Sequence, residues 1–145
     1  MIQKTKNKKD SAGHIKIIDG TGVVMGRLAS YVAKEALKGE EIAVLNCEDI
    51  IISGNRQMNR EHFEARRRRA GSGFKGPIQP RPAYMMVKRA IRGMVPQYRY
   101  GRGREAFKRI KCYNNVPEEF KNSKKIILEY PKPKKYSKVK EFVEK

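Results

Sequence analysis

Four consecutive arginines, Arg66, Arg67, Arg68 and Arg69, run into the glycine-rich stretch Ala70-Gly71-Ser72-Gly73-Phe74-Lys75-Gly76. Guanidinium forks bind phosphate oxygens bidentately, so the stretch reads as a contact for a polyanion. At the end of a helix, successive side chains lie about 100° apart, and four of them sweep most of the circumference. Such an end has no single solvated face and must project from the body to place its charges. The glycines after it let the backbone approach a partner closely. The alternative is a solvated basic helix end followed by a flexible loop. A second stretch, Gln97-Tyr98-Arg99-Tyr100-Gly101-Arg102-Gly103-Arg104, reads as a loop that interleaves rings and guanidiniums on a flexible backbone. Bases can stack on such rings while the arginines hold phosphates. Tyrosines packed back on the body, with the arginines in water, are its alternative.

Catalytic chemistry finds less support. Gly20, Gly22 and Gly26 have G-x-G-x-x-x-G spacing where a strand meets a helix, and Glu48 lies about 20 residues on, which approaches a dinucleotide-binding fingerprint. The third spacing is one residue too long, and one βαβ unit leaves no room for a substrate domain. The glycines otherwise make a tight turn and close packing. His14 and His62 sit near no nucleophile motif. Glu48 and Asp49 are adjacent, which in a strand puts them on opposite faces and not in a paired-carboxylate site. Cys47 and Cys112 lack zinc-site spacing and read as free buried thiols. The expectation is no enzyme, no metal, no cofactor and no small-molecule substrate.

The charge distribution agrees with a polyanion partner. The 145 residues carry a formal net charge of +19, and self-repulsion of that size is best tolerated when a partner neutralises it. Residues 1 to 53 hold 8 Lys and Arg against 7 Asp and Glu, residues 54 to 112 hold 17 against 3, and residues 113 to 145 hold 9 against 5. The middle segment also holds 13 of the 14 arginines, all but Arg27, whereas the tail has lysine only. Arginine suits specific phosphate geometry and lysine suits looser attraction, so the middle segment is the expected binding half. No run approaches the roughly 18 apolar residues that span a bilayer, and the start is polar, which points to the cytosol and away from a membrane.

The elements that would position these residues form one α/β domain. Ile15 to Ile18 reads as a strand ending at Asp19-Gly20-Thr21-Gly22. Met25, Leu28, Ala29, Val32, Ala33, Ala36 and Leu37 form a helical apolar stripe, and Ile42 to Leu45 forms a second strand, which together imply a βαβ crossover with parallel strands. Ile50 to Ile52 reads as a third short strand or a strand end, and Ile110 to Tyr113 as a final strand closing a small, mainly parallel four-stranded sheet. Residues 55 to 69 predict a mostly exposed helix. Ala83, Met86, Val87, Ala90, Ile91 and Met94 predict a packed one, with Lys88, Arg89 and Arg92 on its other faces. A basic arm over 1–13, a domain over 14–117 and a lysine-rich extension over 118–145 complete the division.

Taken together the motifs resemble the universal large-subunit ribosomal protein thirteen family. They are Asp19-Gly20-Thr21-Gly22 with Gly26-Arg27-Leu28-Ala29-Ser30, Asn46-Cys47-Glu48 leading to Ile52-Ser53-Gly54-Asn55, Arg92-Gly93-Met94-Val95-Pro96, and Gly103-Arg104-Glu105-Ala106. Each is weak alone, but their order and spacing match over about residues 15 to 117. The type looks more archaeal or eukaryotic than bacterial, and the short tail favours an archaeal source.

The resemblance implies a non-catalytic structural constituent of the large ribosomal subunit that binds and organises large-subunit rRNA beside neighbouring large-subunit proteins. Carried over by position and joined to the charge map, the expected RNA contacts are Arg27, Ser53, Asn55, Arg56, Arg60, Arg66, Arg67, Arg68, Arg69, Lys75, Arg81, Lys88, Arg89, Arg92, Tyr98, Arg99, Tyr100, Arg102 and Arg104. A nucleotide-using enzyme, or a regulatory module that silences messenger RNA, is the reading from another class.

Overall fold

The computed structural model describes residues 15–69 and 79–143. The N-terminal arm and the glycine-rich loop with Lys75 lie outside the described residues. In chain order the elements are β1 (Lys16–Asp19), α1 (Met25–Leu37), β2 (Ile42–Leu45), β3 (Ile51–Ser53), α2 (Arg56–Arg68), α3 (Ala83–Met94), α4 (Gly101–Lys108), β4 (Ile110–Cys112), β5 (Lys125–Ile127) and β6 (Tyr136–Lys138).

β2 is apolar throughout because it is central and buried on both faces. It pairs parallel with β1 on one side, Lys16 opposite Ile42, and parallel with β4 on the other, Ile42 opposite Ile110. β5 joins β1 in parallel and completes the order β4-β2-β1-β5. Side chains alternate between two cores, as the strand period of two requires. Ile18, Ile42 and Val44 face α1, α3 and α4, whereas Ile17, Ala43 and Leu45 face a smaller cluster closed by Phe120. On α1, Leu28, Ala29, Val32, Ala33 and Ala36 are buried, the stripe its spacing predicts.

Two expectations for the sheet need correction. Ile50 to Ile52 does not supply a strand of the main sheet: β3 pairs antiparallel with β6, Ile51 opposite Lys138. The link from β2 is too short for a parallel crossover, which takes a dozen or more residues. The fourth parallel strand comes instead from β5, so the described part of the lysine-rich tail is built into the body. Val139 and Phe142 are also buried in the larger core.

Two further differences concern α3 and α4. Met94 ends the α3 stripe but is 48% exposed, because the chain turns away at Val95. The Tyr-Arg-Gly stretch is not wholly a loop, since α4 begins at Gly101 and carries Arg102 and Arg104 on a helix. Gly103 is buried there for contact, not for flexibility. A Cβ built on it would lie 1.8 Å from the Pro96 carbonyl oxygen.

Glu35, 7% exposed on α1, accepts a 2.7 Å hydrogen bond from the Lys16 ammonium and a second from Lys38. Lys16 and then Lys38 hold the Glu35 carboxyl below its ordinary 4.5 in spite of burial. Glu35 in turn raises Lys16 above 10.5, against the effect of burial. This network ties the start of β1 to the end of α1.

Gly103→Ala is expected to cost about 3 kcal/mol in urea unfolding, because backbone must move to admit the methyl group. Gly93→Ala, where a Cβ meets nothing within 4 Å, should be neutral or gain up to about 1 kcal/mol from helix propensity. Equal effects would show that the α4 contact is not tight. For Glu35, whose folded pKa is depressed, the stabilisation is present above 4.5 and is lost as pH falls through the lower folded value. Lys16, with a raised pKa, contributes below 10.5 and loses that contribution as pH rises through its folded value. Glu35→Gln should therefore cost about 1–3 kcal/mol near neutrality and flatten the acid limb of stability against pH. An acid limb identical to wild type would contradict this linkage.

Candidate nucleic-acid interface

α2 starts where Gly54, at φ +115°, turns the chain outward. The Asn55 side chain accepts a 3.0 Å hydrogen bond from the Gln57 N–H and caps the helix. No α2 residue is buried, which agrees with its few apolar positions. The helix ends at Arg68, so the arginine run does terminate it. Arg66, Arg68 and Arg69 are exposed, but Arg67 is half-buried and donates to the Phe142 carbonyl at 2.5 Å. The expectation of four projecting arginines is corrected on this point. Side chains about 100° apart cannot all avoid the body, and here the body comes from a segment 75 residues further on. Arg56 lies 2.6 Å from Glu141, while Arg60 and Arg68 each reach Glu64 at 3.7 Å. Exposed pairs like the last two contribute about 0.3–0.5 kcal/mol, so phosphate can displace them.

A second set of expected residues lies on α3 and α4. The Lys88 ammonium is 5.4 Å from the Phe107 ring, and the Arg92 guanidinium is 4.9 Å from the Tyr98 ring. Tyr98 also meets Phe107 edge-on at 6.5 Å and accepts a 3.3 Å hydrogen bond from Arg99. That bond, with the Arg99 charge, holds the Tyr98 phenol below its usual range. The Tyr98 ring is thus engaged by the protein, whereas Tyr100 is 64% exposed and offers a face. Arg81 is exposed ahead of α3, Arg89 is half-buried on it, and Arg99 and Arg104 are exposed. Arg102 donates to the Leu37 carbonyl at 3.4 Å, at the negative end of α1.

The fold brings Arg27 and Arg102 to the two ends of one surface. Arg27, which lies 5.4 Å over the Tyr130 ring, lines a hollow of about 580 Å³, and Arg102 lines one of about 400 Å³. Ser30, Lys34 and Met94 border both. Ser53 is exposed at the end of β3. Lys34, Lys38 and Tyr130 were not expected at this surface. Nor were Lys134 and Lys135, which share a hollow of about 340 Å³ with Asn55 and Arg56. The lysine cluster at 132–135 was their one sequence signal, and nothing in the sequence aims it at α2.

The glycine turn after β1 does not resemble a phosphate cradle in use. Its four successive amides already donate within the protein: Gly20 to Leu45, Thr21 to the Asp19 carboxylate, Gly22 to Asp49 and Val23 to Gly20. Burial pushes the Asp19 carboxyl up, but hydrogen bonds from Thr21 and Asn46 prevail and hold it below its ordinary value. A Cβ on Gly20 would come within 2.9 Å of the Leu45 carbonyl, so this glycine serves close packing. His62 is exposed and meets Phe63 edge-on at 6.2 Å. Cys47 and Cys112 are free thiols, and Cys112 together with burial pushes the Cys47 thiol upward. Among the described residues no group of three His, Cys, Asp or Glu could hold a metal, and no helix is long and apolar enough to cross a membrane.

These features define a class: one α/β domain whose surface chemistry is cationic and whose glycine turn serves packing. Comparison with known proteins takes the identification further. Residues 14–119 match the model of the family described as ribosomal protein L13. The large ribosomal subunit protein uL13 of Methanosarcina barkeri is 42% identical over 113 residues, 77% of this chain and 79% of the relative. Its counterpart in Methanosphaera stadtmanae is 40% identical over 127 residues, covering 86% and 89%. That of Methanococcus maripaludis is 47% identical over 105 residues, covering 70% and 76%. The chain belongs to the ribosomal protein L13 family, in its archaeal form, a structural ribosomal component and not an enzyme.

Arg67→Ala should lower stability by about 1–3 kcal/mol, since the Phe142 carbonyl loses its donor and the arginine stem its packing. The double change Arg66→Ala with Arg69→Ala should stay within about 0.5 kcal/mol of wild type. Urea unfolding distinguishes them, and equal losses would remove the distinction between position 67 and its neighbours.

Proposed function

We propose that this protein binds and organises large-subunit rRNA, during assembly and in the mature subunit, with neighbouring large-subunit proteins as further partners. One observation carries the reading: residues 54 to 112 hold 17 Lys and Arg against 3 acids, and the structure spreads most of these cations over α2, α3 and α4 around a closed apolar core. The names of the relatives support it.

The mechanism divides the labour between body and surface. The sheet, α1 and α3 form a platform. Arg66, Arg68 and Arg69 at the end of α2 and Arg99, Arg102 and Arg104 around α4 meet phosphates on separate RNA segments, and Tyr100 supplies a ring for a base. Arg27, Ser53, Asn55, Arg56, Arg60, Arg81, Lys88, Arg89 and Arg92 extend the contact, with Arg67 and Tyr98 acting more as supports. Lys75 belongs to the same reading through the sequence. Folded RNA hides its deep groove, so shape and phosphate contacts outweigh base reading.

With about eight phosphates neutralised, log affinity should fall against log salt with a slope of about −6 to −7. Filter binding to a large-subunit rRNA transcript over a salt series measures it. A slope near −1, by the same relation, corresponds to only about one phosphate and would sink the proposal.

A further inference from the structure

The C-terminal segment lies beyond the residues by which the family is recognised, which end at 119. It nevertheless supplies much of the surface on which α2 rests. The Phe63 and Phe142 rings stack with centroids 5.0 Å apart. Arg67 donates to the Phe142 carbonyl, Arg56 lies 2.6 Å from Glu141, and the Asn59 amide donates to the Ser137 hydroxyl at 3.3 Å. Gly54, at the entry to the helix, donates its N–H to the Lys135 carbonyl at 3.0 Å. Contacts therefore run along α2 from its entry nearly to its arginine end.

The segment is itself firmly held. β6 pairs with β3, the Val139 N–H donates to the Ile50 carbonyl at 2.9 Å, and Val139 and Phe142 are buried. Lys138 and Lys140 reach Asp49 at 3.0 and 3.4 Å. Glu141 accepts from the Lys138 N–H at 3.1 Å, which orients its carboxylate as the segment turns. α2, by contrast, has 13 residues, none of them buried, and enters through a glycine in the left-handed region. A helix of about that length is marginal alone in water.

We infer that residues 135–143 form a seat that fixes the direction of α2, with Phe142 and Glu141 as positioning residues for the arginine end. This rests on the rRNA-binding reading above and adds to it the part that aims one of the cationic surfaces. Without the seat the same arginines remain, but the fraction of molecules presenting them correctly falls, and apparent affinity falls with that fraction.

The test uses the full chain and a large-subunit rRNA transcript. Hydrogen exchange of α2 amides is compared with that of β1 and β2, and filter binding is followed over a salt series, for Phe142→Ala and Phe63→Ala. In both variants α2 amides should exchange at least about tenfold faster while β1 and β2 stay protected. Affinity should weaken about tenfold with an unchanged salt slope, because the same phosphates are met once α2 is in place. Phe142→Leu, which keeps an apolar side chain against Phe63, should recover most of both effects.

If Phe142→Ala loosens the whole sheet, Phe63→Ala decides, since it removes the same ring pair from the exposed helix. Unchanged α2 exchange, or loosened α2 with unchanged affinity, overturns the inference. Should the wild-type chain show no salt-dependent rRNA binding, the underlying reading fails instead, and the exchange comparison alone upholds or overturns the seat.

Discussion

Burial of β1 and β2 on both faces is the constraint on which the rest of the molecule depends. A chain of 145 residues with a net charge of +19 has little apolar surface to spare and strong internal repulsion to resist. Two short strands that place Ile18 and Val44 in one core and Ile17 and Leu45 in the other give the middle of the sheet contacts on every side. α1 then covers one face through a single stripe. Phe120 closes the other with a small cluster, and the Lys16 to Glu35 pair joins strand to helix at the rim. The cations can be carried outside this frame because none is needed inside it.

The outer cations are partly ordered before any partner arrives. Arg92 and Arg99 lie against the Tyr98 ring and Arg27 against the Tyr130 ring, and Arg67 donates to the Phe142 backbone carbonyl. Ordering long side chains in advance lowers what binding must spend in conformational freedom. The two tyrosines of the aromatic stretch divide accordingly: Tyr98 is a support for guanidiniums, and Tyr100 faces outward. Gly103 shows the same economy in the backbone, where a residue that reads as flexible in the sequence is the one that lets α4 close on Pro96.

How much of this could be read in the sequence depends on how local each signal was. The α1 stripe, the apolar run of β2, the exposed character of α2 and the parallel βαβ unit follow from spacing within a few residues, and they match the structure. β5 was missed as a sheet strand because its apolar run is short, preceded by two lysines and followed by Glu129, and Ile127 remains 70% exposed at the sheet edge. β3 was placed in the wrong sheet because its partner, β6, lies more than eighty residues away and has only one buried residue, Ser137. The candidate interface was legible only as a set of arginines, since composition alone marks them. Their division into supports and outward contacts was not, because Arg67 and Arg66 are alike in sequence and differ only in what the tail brings beside them.

The most direct measurement is sedimentation of a cell lysate through sucrose gradients at low and at high salt, with this chain followed by an antibody. The account expects it to travel with the large ribosomal subunit and to leave only at strong salt, as charge-dominated binding to a folded RNA requires. A chain that stays at the top of the gradient at low salt would contradict large-subunit rRNA as its working partner.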